Sequence, residues 1–105
     1  MASDVLYKHP NDEILYAVDF TDDLPGDTTV SSSSSVTAVD SDNASATSTV
    51  IGTASQSGME ARAVLQAGTD GEDYTITWTG RGTTTSRDAT KIIEMRVRAK
   101  RLGSV

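Results

Sequence analysis

The sequence predicts an all-β protein: a small immunoglobulin-like β-sandwich of six to seven antiparallel strands, preceded by an extended N-terminal arm. Three observations lead there. Apolar residues recur at period two in short runs, most cleanly over residues 74–79 and 93–99, the spacing of half-buried strands. Gly, Pro, Asn and Asp clusters punctuate those runs as turns do. Ser and Thr together fill 28 of the 105 positions, and Thr favours strands. With 36% hydrophobic and 5% aromatic residues the core must be thin, and 11.1 kDa is enough for one domain. The expected division is an arm at 1–12 and a β-sandwich at 13–105.

The arm, MASDVLYKHPND, carries Val5, Leu6 and Tyr7 ahead of Pro10, which biases His9 away from helical geometry. Apolar residues in such a segment pack either on their own domain or on a neighbour; with Pro10, these three are the expected arm contact with another subunit. Residues 13–20 place Ile14, Tyr16, Val18 and Phe20 on one strand face. Pro25-Gly26 has the type II turn pattern. The five-Ser run at 31–35 suits either a flexible linker or, with Val30, Val36 and Val39 around it, an edge strand of small side chains. Residues 40–43 read as a turn, 46–52 as a strand and 53–58 as a loop. The segment at 59–67 mixes helix-forming residues with a strand alternation that puts Ala61, Ala63, Leu65 and Ala67 on one face; its neighbours favour the strand. Tyr74, Ile76 and Trp78 then point inward, a loop at 80–88 turns the chain, and Ile93, Met95, Val97 and Ala99 return on the core face. The expected core is Tyr16, Val18, Phe20, Tyr74, Ile76, Trp78, Ile93, Met95 and Val97.

Little in this chain supports catalysis. There is no Cys, so disulfides, thiolate metal sites and a Cys nucleophile are excluded. The single His9 lies in the arm, and no Ser sits in a nucleophile elbow. The Asp40-Ser41-Asp42-Asn43 stretch faintly resembles a calcium loop, but Ala44 stands at the next ligand position and the glycine and terminal Glu are missing. No catalytic residue, cofactor or metal is therefore expected. Apolar runs of four or five residues fall far short of the roughly 20 that cross a bilayer as a helix. No basic-then-apolar leader opens the chain, so no ordinary signal peptide is expected. A net charge of −6 argues against a general nucleic-acid binder.

The charge is unevenly spread. Residues 1–60 carry ten acidic groups against Lys8 alone, whereas residues 61–105 carry eight basic groups against five acidic ones. One reading is a solvated strand face. The other is head-to-tail complementarity between copies, with Arg81, Arg87, Arg96 and Arg98 at the subunit interface and closure into a ring.

Several short motifs, taken in order, carry a resemblance. They are Lys8-His9-Pro10-Asn11; the strand running to Asp19-Phe20; the Leu24-Pro25-Gly26-Asp27-Thr28 turn; the Ser run; and Gly68-Thr69-Asp70-Gly71-Glu72-Asp73-Tyr74. The Gly80–Arg87 hairpin and the basic strand with Met95-Arg96-Val97-Arg98 complete the series. In this order they resemble the fibre–tail adaptor family of tailed-bacteriophage virion proteins. Residues 41–60 match the pattern poorly, and 61–67 lack its usual Gly-Gly ending. The resemblance implies a non-enzymatic structural subunit, made in the host cytoplasm and placed in the phage tail or neck. It would join the tail or connector to fibres or to the next ring, with other virion proteins as partners. A capsid decoration (cement) protein is the alternative within the virion. A carbohydrate- or cell-surface-binding sandwich is the alternative outside it, disfavoured because four of the five aromatics are expected to face inward.

Overall fold

A computed structural model describes residues 4–31 and 35–99. Seven strands form two facing sheets: β1 (Asp4–Lys8), β2 (Ile14–Asp19), β3 (Ser35–Val39), β4 (Ile51–Ser57), β5 (Glu60–Leu65), β6 (Asp73–Arg81) and β7 (Asp88–Val97), with a one-turn helix α1 (Thr47–Val50) before β4. One sheet has the order β1-β7-β6-β3 and the other β2-β5-β4. The neighbours β2–β5–β4 and β3–β6–β7 are those of the B–E–D and C–F–G strands in an immunoglobulin-type sandwich.

Period-two alternation builds the core. Tyr74, Ile76 and Trp78 of β6 are buried against Ile93, Met95 and Val97 of β7, while Val18, Phe20 and the small residues Ala61 and Ala63 with Leu65 come from the opposite sheet. Tyr16 is half-buried and its ring lies 5.8 Å from that of Trp78. Leu24, Val30, Ala38, Ala46 and Val50 complete the cluster. Small residues on β5 let the sheets approach with few large side chains, which is how a thin core stays closed. Gly80 has the same purpose on β6: a Cβ there would stand 2.7 Å from the Phe20 ring.

The first correction concerns the arm. Residues 4–8 are not a free extension but an edge strand of their own domain, and they pair with β7 in parallel rather than antiparallel fashion, Tyr7 opposite Arg96 and Lys8 opposite Val97. The cause lies in the alternation. Leu6 turns inward onto the core and Lys8 is 2% exposed. The Lys8 ammonium donates to the carbonyl oxygens of Ala67 (2.6 Å), His9 (2.8 Å) and Pro10 (3.4 Å). Its carbonyl in turn accepts from the Arg98 amide at 2.9 Å. A buried ammonium needs such acceptors, and they tie β1 to the loop after β5. Pro10 sits in the turn that carries the chain across to the second sheet; Asp12 N donates to His9 O there, and Asn11 N to His9 Nδ1.

The second correction concerns residues 46–58. The expected strand at 46–52 begins as α1, and β4 occupies the stretch expected to be a loop. A helical turn brings Ala46 and Val50, four residues apart, onto one face, and both are buried. Thr47 Oγ1 accepts from the Ala38 amide at 3.0 Å, which pins the turn to β3. Beyond it, Thr53, Ser55 and Ser57 form an edge strand, closed by Gly58 (φ +58) at the position that primed hairpin turns reserve for glycine. Ala99, expected on the core face, lies beyond the end of β7 and is exposed.

Candidate interface

Among the described residues no three His, Asp or Glu side chains gather in a way that could hold a metal ion. Among them, too, no helix is long and apolar enough to cross a membrane. Two surfaces stand out.

The outer face of the first sheet is one. The register puts Val5 beside Glu94 and Tyr7 beside Arg96 across the β1–β7 pair, with Ile92 on the same side of β7. Val5 (47%), Tyr7 (61%) and Ile92 (45%) are exposed large apolar residues gathered on this face. Arg96 is held between Tyr7 and Glu94. It donates from Nη1 to the Tyr7 hydroxyl at 3.1 Å, and from Nε and Nη2 to Glu94 Oε2 at 3.1 and 2.7 Å. Its guanidinium carbon lies 5.8 Å from the Tyr7 ring centroid. The hydroxyl and then the carboxylate both push the guanidinium above its ordinary value. Thr75 and Thr77 of β6 continue the face. Among the described residues the far side of β1 has no strand partner, which leaves an edge of the kind that accepts strand addition.

The tip between β6 and β7 is the other. Asp27, from the turn after Leu24, accepts from Thr84 N (2.8 Å), Thr85 N (3.0 Å) and Thr85 Oγ1 (2.6 Å). Those bonds, led by the Thr85 hydroxyl, hold its carboxyl below the usual value of 3.8. A Cβ at position 82 would overlap this carboxylate, so Gly82 makes the docking possible. Two motifs far apart in sequence are thus two halves of one lock.

The other sequence-derived positions fall as follows. Tyr7 and Arg96 are brought together. Val5 shares their face, whereas Leu6 is turned away from it and Pro10 lies in the turn. Arg81 pairs with Asp88 at 3.1 Å across the hairpin, and Arg87 is exposed at its tip. This end is eight β7 residues from Arg96, about 27 Å of extended chain. Arg98 pairs with Asp73 at 2.8 Å and also bonds the carbonyl oxygens of Glu72 and Val97. Lys91 pairs with Asp23 at 3.1 Å. Arg81, Lys91, Arg96 and Arg98 therefore have carboxylate partners within the chain. Lys100 and Arg101, the rest of the basic end, and Ser32 to Ser34 of the serine run lie outside the described residues.

Lys8 and Asp27 were missed as structural anchors. The signal for Lys8 was present: it is the lone cation in the first sixty residues, one alternation after Leu6.

Residues 8–98 match the family described as podophage GP4 fiber-tail adaptor protein gp77. No curated protein and no solved structure matches the chain. The matched span runs from the buried Lys8, through the Asp27 lock, to Arg98, and so takes in both sheets: the chain belongs to the podophage fibre-tail adaptor family.

Proposed function

We propose that this chain is a non-catalytic tail adaptor, present in several copies at the junction between a podophage tail and its fibres. Family membership over residues 8–98 carries the reading. The exposed Val5, Tyr7 and Ile92 support placing a subunit contact on the outer face of the first sheet, because apolar residues grouped on one face mark interaction sites more than scattered ones do. The role of the N-terminal segment is inverted from that of a free arm. β1 is fixed to its own body by Lys8 and offers its open edge to a neighbour's strand, which is β-addition with this chain as the acceptor. A ring of copies would close these heterologous contacts. Virion partners and a place in the tail follow from the same reading.

Replacing Tyr7 with Lys tests it. The residue is exposed, so the domain should fold with an unchanged spectrum while incorporation into tails drops. Normal incorporation would remove the outer face from the contact. Finding the chain spread over the capsid shell would replace the adaptor with the cement protein.

A further inference from the structure

We propose that the seam between the edges of β3 and β4 is a second binding site, where an extended segment of a partner chain adds to β3 at Val36 and seats one amide carbonyl oxygen against the Trp78 indole N–H.

Two independent observations meet at this seam. Trp78 is fully buried, and its Nε1 is the buried side-chain polar atom left without a hydrogen-bond partner among the described residues. Such an orphan donor is costly and is rare in native proteins. Trp78 also lines a small cleft that opens between the sheets, with Ser35 and Val36 on one lip and Ser55, Gln56 and Arg62 on the other. Its volume of about 20 Å³ admits one water-sized group, such as a single oxygen.

The backbone of β3 supplies the second observation. Ala38 turns both polar groups away from β6: its N–H donates to Thr47 Oγ1 and its carbonyl accepts from Ala46 N. Hydrogen-bonding direction alternates along an antiparallel strand, so Val36 faces outward as well. Residues 44–47 bond the edge at Ala38 and Asp40, but among the described residues nothing hydrogen-bonds its outward side at Val36. An open backbone N–H and C=O therefore border the cleft that holds the orphan indole.

These features select the occupant. An extended chain pairs with the free edge of β3, since strand addition is what an unpaired edge accepts. The group reaching Trp78 must accept a hydrogen bond. It is neutral, because the cation at the rim, Arg62, is already bound through Nε and Nη2 to Glu60. A carboxylate would enter without compensation. An amide carbonyl meets all these demands. The site lies on the opposite edge of its sheet from β1, so one subunit could be gripped from both sides.

The identity of the partner as a virion protein rests on the adaptor reading. The test is competitive incorporation into tails, with wild-type chain present in every assembly. Val36→Pro removes an outward N–H without breaking a bond to β6, and proline is tolerated at such edge positions. It should enter tails about tenfold less than wild type, as expected for a blocked strand and a lost interfacial hydrogen bond. Val36→Thr, which keeps the N–H, should enter at the wild-type ratio. Amide exchange at residue 36 of the unaltered chain is the second measurement, with protection expected in tails and not in the free chain. Equal exchange in the two states, or undiminished incorporation of Val36→Pro, would overturn the site and leave the adaptor role intact. So would a long-lived water on the indole that persists in the assembled tail. Absence of the wild-type chain from tails would instead overturn the adaptor role, and the virion partner with it.

Discussion

Three residues bear more of this fold than their chemistry suggests. Asp27 fixes the hairpin tip through three hydrogen bonds, and its carboxyl is held below 3.8. A lowered folded-state value means that the contribution of the charged form is complete above the ordinary carboxylate range and is lost as pH falls below it. The Thr84 and Thr85 amide resonances should therefore shift with a midpoint below pH 3.8, and Asp27→Ala should speed their hydrogen exchange at neutral pH. An unchanged exchange rate would mean that the tip is ordered by something else. Lys8 has the opposite sign of charge. Burial lowers its value below 10.5 against the raising fields of Asp12 and Glu13, so the cost of burying the ammonium is present at neutral pH and is relieved as pH rises toward 10.5. Its compensation is the carbonyl cage. Lys8→Met should lower stability by about 1–3 kcal/mol, the range for leaving buried acceptors unpaired, read as a lower denaturant midpoint with unchanged slope. Gly80→Ala would force a methyl into the Phe20 ring, and should cost about 1–3 kcal/mol by the same measurement.

At the scale of elements, the strands with strict alternation were legible from sequence, and those made of small polar residues were not. β6 and β7 bury Tyr74, Ile76, Trp78, Ile93, Met95 and Val97, whose bulk leaves one face only for water. β5 could be read because Ala61, Ala63 and Leu65 alternate with Glu60, Arg62 and Val64 despite their helical propensity. β4 could not: Thr53, Ala54 and Ser55 have no hydrophobic signal, and the strand exists because β5 provides a partner. α1 is a tertiary product in the same way, pinned by Thr47 to β3. β1 was visible as apolar but not as intramolecular, because period two cannot say whose sheet a strand joins. Removing residues 1–8 should accordingly destabilise the domain itself, with loss of the Leu6 contacts and of the Lys8 cage. A truncated chain that melts like wild type would restore the free arm.

Across the whole molecule most cations of the basic half are paired within the chain, three of the five pairs with carboxylates of that same half. The ion pairs Arg62–Glu60, Arg81–Asp88, Lys91–Asp23, Arg96–Glu94 and Arg98–Asp73 are all partly exposed. Each is worth at most about 1 kcal/mol, so single neutralising substitutions should shift stability little. What remains for partners is shape and open edges: Val5, Tyr7 and Ile92 on one face, and β1 and β3 at the two margins of the same sheet. No motif announces such a site, since exposure and edge position are properties of the folded chain. The most direct test of this account is a reconstruction of the intact tail at side-chain resolution. The account predicts copies of this sandwich at the tail–fibre junction, with Val5, Tyr7 and Ile92 covered by a neighbouring chain. A sandwich at that junction with this face and the β1 edge both open to solvent would contradict it.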